Sequence, residues 1–322
     1  MSPADAILAG LYDSAGDFVD PLGIPHAPPD GARLQAALDE LRARGHMIES
    51  GPAGQLRLVL PVRLDAFLLE RNLNVQRIGR CAICFDEVDS TNDVAAASLR
   101  QGGCDGLVVT AESQRQGRGR LGRRWLSPPG ANLLMSVVLD GRESPLPLHD
   151  ALTLAGGVSV AEAADTVVDV GCTLKWPNDV EIAGAKIAGV LVELHNTPPG
   201  AIVGIGVNVS ASPPPHAVDR PATHLGETAA GPVDRIALAR AILRRLDDWL
   251  ATIAADGRDK LHDAWLSRSG MLNQRVAIAS SGEIHVGRVL DVQPGDGLLL
   301  RCDDGRTVHL PAAGASVLPE SP

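Results

Sequence analysis

The 322-residue sequence predicts an α+β protein, and three observations predict it. Two helix-like stretches and a short hairpin open the chain over 1–65. Apolar strand patterns interspersed with helical ones fill 81–270. Short, closely spaced strands separated by Gly- and Asp-rich turns end it over 271–322. Residues 66–80 read as a linker with helical character. The chain is long enough for several domains and a sizeable core.

The first segment has Ile7, Leu8, Leu11 and Tyr12 on one face of a helix expected over 5–18. Pro21, Pro25, Pro28 and Pro29 then break the chain. A second helix over 32–45 places Leu34, Ala37, Leu38 and Leu41 at helical spacing and ends at Gly45. Residues 47–61 form a hairpin turning at Gly51-Pro52-Ala53-Gly54. Helices followed by a hairpin suggest a winged-helix-like module, a type that usually binds DNA. The charge argues otherwise. Within 1–65, five arginines face nine carboxylates, leaving −4. Duplex binding needs a positive footprint that releases counterions.

Cys81-Ala82-Ile83-Cys84 lies in an apolar run ending at Phe85. A zinc site needs further ligands at motif spacing, so these cysteines read as strand residues. The 5 Cys are an odd, scattered set, which argues against a disulfide framework. The 9 His are dispersed, and no metal-ligand cluster is visible. Ser90-Thr91-Asn92-Asp93 opens a helix, with Ser90 and Asp93 spaced as a capping box. The same residues can instead offer hydrogen-bonding groups to a ligand at a helix start, where backbone N–H groups are free.

A strand over 106–112 delivers Gln114 and a basic loop. Arg115, Arg118, Arg120, Arg123 and Arg124 crowd 114–126, interleaved with Gly117, Gly119 and Gly122, in a chain of net charge −10. Unpaired guanidinium groups are costly to bury. The loop is therefore either a solvated basic loop or a strap closing over an anion, with planar forks matched to carboxylate and phosphate oxygens. The literal G-x-G-x-x-G at 117–122 is no dinucleotide fingerprint. Ser127-Pro128-Pro129-Gly130 soon follows, which is loop punctuation and not a helix start.

The next strand spans 132–139, and a buried helix rich in Ala and Gly spans 148–166. Lys175-Trp176-Pro177-Asn178-Asp179 comes next. It reads as the start of an ordinary hairpin, 180–182 to 187–194 turning at Ala183-Gly184, or as a site corner presenting a cation, an amide and a carboxylate. Lys186 begins a strand containing Gly189. Another apolar strand, 201–209, carries Gly204 and Gly206 and reaches Asn208. Glycine within a strand marks close approach to the backbone. A Pro-rich loop spans 210–233, and helices follow over 235–253 and 261–266. Strands over 275–279, 284–292, 297–301 and 307–310 imply a small β-barrel. Aromatic residues make up only 2% of the chain, so Trp125 and Trp176, both beside these motifs, stand out.

The start of the chain lacks a basic region ahead of an apolar core, so no signal peptide is expected. The most apolar window, 151–170, contains Glu162 and Asp165 and does not suit a membrane span. A soluble, cytoplasmic protein is expected.

Ser90-Thr91-Asn92, the basic loop at 117–123, Lys175 to Asp179, Lys186-Ile187-Ala188-Gly189 and Gly204-Ile205-Gly206-Val207-Asn208 occur in the order seen in biotin protein ligases. Over 81 to about 319 the chain resembles that family, including its bacterial members that double as repressors. The resemblance implies a central mixed β-sheet flanked by helices, an N-terminal winged helix and a C-terminal SH3-like β-barrel. It implies ATP-dependent activation of biotin to biotinyl-5′-AMP, with Mg²⁺ accompanying ATP. Biotin then passes to a lysine of the biotin carboxyl carrier protein of acetyl-CoA carboxylase. By the same resemblance, Ser90, Thr91, Asn92 and Gln114 hold biotin's ring system. Arg118, Arg120 and Lys186 meet its carboxylate and the α-phosphate. Gly117, Gly119, Gly189, Gly204, Gly206 and Asn208 line the ligand, Trp125 packs near the adenylate, and Asn178 and Asp179 sit near the phosphate or the incoming lysine. The basic loop is expected to be mobile and to order over ligand, and a homodimer paired through sheet edges fits the family. A lipoate or octanoyl transfer enzyme shares the catalytic fold but lacks this combination of motifs. A transcription factor that only senses biotinyl-AMP would not need the loop cations and Lys186.

Overall fold

The computed structural model describes residues 1–318. The expected C-terminal unit thus has its last residues, 319–322, outside the described residues. Helix α1 (Pro3–Asp13) begins with a capping box between Ser2 and Asp5. It stops well short of 18, because Ala15 (φ 52°) and Gly16 (φ 92°) reverse the chain. Helix α2 (Gly31–Ala43) is capped by Asp30, which accepts from Arg33 N at 2.8 Å. Strands β1 (Ile48–Ser50) and β2 (Leu56–Leu58) form the antiparallel hairpin. Leu8, Leu11, Leu38, Leu41 and Leu58 pack its core.

The segment expected as a helical linker is helical only over α3 (Ala66–Glu70). It is also firmly held. Leu64, Leu68, Leu69, Leu73 and Ile78 are buried. The Asp247 carboxylate accepts from the backbone N–H groups of Gln76, Arg77 and Ile78 at 2.5, 2.9 and 3.0 Å.

The centre is one seven-stranded sheet. Its strands are β3 (Cys81–Val88), β4 (Leu107–Gln114), β5 (Leu133–Asp140), β6 (Thr173–Lys175), β7 (Asp179–Ile182), β8 (Ala185–Asn196) and β9 (Pro199–Val207). Their order is β3-β4-β5-β9-β8-β7-β6. Only β3 and β4 pair in parallel; every other pair is antiparallel, so the sheet is mixed. The parallel pair follows from the crossover helix α4 (Thr91–Arg100), which covers one face through Ala95, Ala96 and Leu99. On the other face lies α5 (His149–Ala164), buried on nearly every side. It is enclosed by the sheet, by α6 (Arg235–Ala254) and by α7 (Arg258–Leu266). Cys81 and Cys84 are strand residues with free thiols, as their apolar setting suggested.

The last unit is a five-stranded antiparallel sheet of β10 (Arg275–Ser280), β11 (Glu283–Gln293), β12 (Gly297–Cys302), β13 (Thr307–Leu310) and β14 (Ser316–Val317). Its order is β13-β12-β11-β10-β14. A bulge between Val289 and Asp291 bends β11. Ile278, Val289, Val292, Leu298 and Leu300 form the buried side. No helix among the described residues is long and apolar enough to cross a membrane.

Candidate active site

A cavity of about 500 Å³ opens where the basic loop, the start of α4, β8, β9 and the 213–222 loop meet the end of the C-terminal sheet. Of the residues singled out in the sequence, Ser90, Thr91, Asn92, Gln114, Arg118, Gly119 and Arg120 line it. So do Trp125, Asn178, Asp179, Lys186, Gly189, Gly204, Gly206 and Asn208. Gly117 does not; it sits behind the wall, where a Cβ would meet Trp125 O at 2.7 Å.

The α4 start is built differently from the expected capping box. Ser90 is the N-cap, yet its side chain makes no capping hydrogen bond and lines the cavity. The Asp93 N–H donates to the Ser90 carbonyl at 3.1 Å, and a side chain from β4 serves a different free N–H: Gln114 Oε1 accepts from Thr91 N at 2.7 Å. Ser136 Oγ lies 2.7 Å from Thr91 Oγ1 and 2.6 Å from Asn92 Oδ1. A serine has one proton to give. Asn92 Oδ1 can only accept, so Ser136 donates to it, and the Thr91 hydroxyl has one proton for Ser136 Oγ or for Gln114 Oε1, 3.1 Å away. Asn92 Nδ2 in turn donates to Glu193 Oε2 at 2.8 Å. A continuous hydrogen-bonded row thus links β4, α4, β5 and β8 along one wall.

The strand glycines admit protein side chains. A Cβ on Gly204 would stand 2.3 Å from Asn92 Oδ1, and one on Gly206 would stand 2.5 Å from the Trp125 ring. Any larger residue would expel Asn92 or Trp125 from the sheet surface. The Trp125 ring also carries Lys186, whose Nζ lies 5.5 Å from the ring centroid. Lys186 Nζ is paired with Asp179 Oδ1 at 2.6 Å. Asn178 Nδ2 donates to Val190 O at 2.8 Å, which pins the turn after Trp176 to β8. Among the described residues, three buried polar atoms of cavity residues make no hydrogen bond within the protein: Asp179 Oδ1, which faces Lys186 Nζ as an ion pair, and Trp125 Nε1 and Asn208 Oδ1, which have no partner. The latter two offer a donor and an acceptor to a ligand.

The basic loop is not the free strap its composition suggested. Gly119 N donates to Arg123 O at 2.7 Å and Trp125 N to Gly117 O at 2.9 Å, closing it into a narrow finger. Its guanidinium groups have found partners. Arg118 donates to Asp93 at 2.6 Å and to Glu193 at 3.2 Å. Burial works against the Arg118 charge, but Asp93 and Glu193 outweigh it and raise the pKa. Arg115 pairs with Asp89 at 2.8 Å. Arg120 turns the other way and donates to the carbonyls of Ala312 and, at 3.2 Å, Ala315. Burial, only partly offset by Asp179 and Asp150, lowers its pKa. The finger therefore bridges the sheet and the C-terminal unit across the cavity mouth.

Several contributors were not legible from motifs. Ser136 and Glu193 sit in apolar strand runs and look like ordinary face residues. Ser316 and Val317, from the far end of the chain, line the mouth. Asp219 and Arg220 come from the Pro-rich loop. Strand alternation hints at which face Glu193 occupies, but nothing local names its partners.

The model of the biotin/lipoate A/B protein ligase family matches residues 84–210. The biotin--[acetyl-CoA-carboxylase] ligase of Mycobacterium tuberculosis is 32% identical over 260 residues, 78% of this chain and 96% of that protein. The bifunctional ligase/repressor BirA of Bacillus subtilis is 27% identical, covering 83% of this chain and 84% of its own. Among solved structures, the Aquifex aeolicus biotin protein ligase in complex with biotin and ATP superposes with a TM-score of 0.66. It is 28% identical and covers 75% of this chain and 100% of that one.

Proposed function

We propose a reaction for this chain from the premise that it belongs to the biotin protein ligase family and is a ligase enzyme. It activates biotin with ATP and transfers it to a carrier-protein lysine. In the first step, a biotin carboxylate oxygen forms a bond to the α-phosphorus of ATP. The bond from that phosphorus to the bridging oxygen breaks, pyrophosphate leaves, and biotinyl-5′-AMP remains. In the second step, an acceptor amine attacks the acyl carbon, AMP leaves, and the amine loses a proton as the amide forms.

The observation that carries this reading is the convergence of Lys186 and Arg118 on one cavity beside the Gln114–Thr91–Asn92 wall, with Arg120 tying the finger to the Ala312 and Ala315 carbonyls at its mouth. Bringing a carboxylate to a triphosphate opposes two anions. Fixed cations lower that barrier by stabilising charge as it develops on phosphorus, at set geometry. Lys186, seated between Asp179 and the Trp125 ring, is the central cation. Arg118 supplies a second one once an arriving anion competes with Asp93 and Glu193. The wall residues suit biotin's polar ring system, and Asn208 Oδ1 suits an exocyclic amine such as adenine's. Mg²⁺ enters with ATP as part of that substrate, compensating the pyrophosphate charge.

The acceptor we favour is the biotin carboxyl carrier protein of acetyl-CoA carboxylase, matching the substrate in the name of the mycobacterial relative. We take 1–65, 66–80, 81–270 and 271–322 as the units of the chain and the cytoplasm as its location. A repressor role is not favoured. Each exposed cation of α2 and the hairpin is matched by a carboxylate: Arg33 with Asp30, Arg42 with Asp39, and Arg57 with Glu49. A homodimer through sheet edges is compatible with the fold but has no specific observation behind it. Incubating the protein with labelled biotin, ATP and carrier protein tests the reading. ATP-dependent label on the carrier lysine supports it; label on neither carrier nor adenylate refutes it.

A further inference from the structure

We infer that Glu193 is a positioning residue of the proposed reaction, holding Asn92 in the cavity wall and Arg118 at its mouth through a single carboxylate. The inference rests on the ligase reading above. Glu193 is not itself among the residues lining the cavity. It stands behind two that are. Its Oε2 accepts from Asn92 Nδ2 at 2.8 Å, and both oxygens lie 3.2 Å from Arg118 Nη2.

The Asn92 amide has little choice of orientation. The residue is only 4% exposed. Its Oδ1 receives the Ser136 hydroxyl and its Nδ2 needs an acceptor, which Glu193 provides. Gly204 gives the amide the space it occupies. Remove the carboxylate and a buried donor loses its partner. The amide is then free to turn, and turning would also take the acceptor from Ser136 and so disturb Thr91.

The same carboxylate restrains the loop. Arg118 lies between Asp93 on α4 and Glu193 on β8. While the cavity holds no anion, these carboxylates keep the guanidinium at its edge. A bound carboxylate competes for one fork of the guanidinium. Glu193 then keeps the other fork and Asn92 in register, so that occupancy of the wall and placement of the cation are linked. This link predicts a defect in biotin affinity rather than in folding.

The test is calorimetric titration of biotin into the full-length protein and its Glu193→Ala, Glu193→Gln and Glu193→Asp variants, each first checked by thermal melting. Glu193→Ala is expected to weaken biotin by roughly tenfold or more, since a buried donor loses its partner. Glu193→Gln retains an acceptor at the same reach and should bind within about threefold of the parent. Glu193→Asp keeps the charge but withdraws it by one methylene, and it should weaken biotin several-fold. That variant decides the matter even if the alanine variant fails to fold. Unchanged affinity in Glu193→Asp, or equal weakness of the glutamine and alanine variants, overturns the inference. Pyrophosphate exchange by the unsubstituted protein runs in parallel. If the parent binds biotin but does not exchange, the ligase reading falls and the titrations still decide the role of Glu193. If the parent does not bind biotin, both fall.

Discussion

Lys186 Nζ lies 2.6 Å from the Asp179 carboxylate and 5.5 Å from the centroid of the Trp125 ring. The pairing crosses from β8 to the adjacent strand β7, where Asp179 pairs with Gly189 in the register. The sheet therefore fixes the lysine, its counter-ion and the glycine beneath them as one unit. An ammonium held this way is already oriented before an anion arrives, so little reorganisation accompanies the reaction.

Replacing that lysine should remove catalysis without removing the biotin wall. Lys186→Ala is expected to slow biotin-dependent ATP–pyrophosphate exchange by roughly 10²–10³, the cost of losing one preorganised donor. Biotin affinity, which we propose rests on Asn92, Thr91 and Gln114, should change far less. Exchange kinetics and biotin titration on the same preparation separate the two effects.

Arg120 ties the basic finger to the Ala312 and Ala315 carbonyls, so its loss should unlatch the cavity mouth. Arg120→Gly is expected to form adenylate and release it, acylating nearby lysines without discrimination. A streptavidin blot of a mixed-protein incubation reads this directly. Labelling confined to the carrier would count against the latch.

A second tie holds the N-terminal part of the chain to the sheet. Arg235, at the start of α6, donates to Glu112 at 2.6 Å and to Val62 O at 3.3 Å, while Glu112 also accepts from Leu64 N at 2.8 Å. The Arg235 side chain is only 4% exposed and that of Glu112 13%. Removing one partner leaves the other charged and buried, at a cost of about 3–5 kcal/mol. Arg235→Ala should therefore lower the urea midpoint markedly, whereas Arg33→Ala on exposed α2 should leave it nearly unchanged.

The Asp65 cluster gives an acid-side signature. Burial pushes the Asp65 carboxyl up. Hydrogen bonds from His46 and Arg44, and then their charges, outweigh it and hold the carboxyl down at about 2. The folded value lies below the unfolded one, near 4. The contribution to stability is thus complete above about pH 4 and is lost as the pH falls through about 2. Urea unfolding should show the difference between the parent and Asp65→Asn shrinking across that window. A difference that stays constant from pH 5 to the acid limit would show that the charge of Asp65 contributes nothing.

Nucleic-acid binding has an equally plain expectation. With its exposed arginines matched by carboxylates, the N-terminal module should give no sequence-specific, salt-sensitive complex with DNA upstream of the host's biotin genes. A gel shift at low salt checks it, and a specific complex that dissolves with added salt would restore the repressor reading.

Much of this arrangement was legible in the chain itself. Gly and Pro between periodic segments mark turns, so the hairpin at Ala183-Gly184 and the end of α2 at Gly45 could be read locally. A cluster of arginines between glycines declares a need for anions. Which anions it meets is not local information. Arg118 finds Glu193 75 residues away on β8, and Arg120 finds Ala312 192 residues away in the C-terminal unit, through tertiary packing alone. Ser90 shows the reverse failure: its spacing to Asp93 fits a cap, but the Asp93 N–H donates to the Ser90 carbonyl and the Ser90 side chain makes no capping bond. Ser136 and Glu193 escaped notice because a polar residue in an apolar strand carries no sign of its partner.

The most direct measurement is a crystal structure of the protein with biotin and ATP. The account predicts a mixed anhydride in the cavity, with the 114–126 finger across it and Lys186 and Arg118 within hydrogen-bonding distance of the joined carboxylate and phosphate. Adenylate bound in the cavity with the finger directed into solvent and both cations out of reach would contradict it.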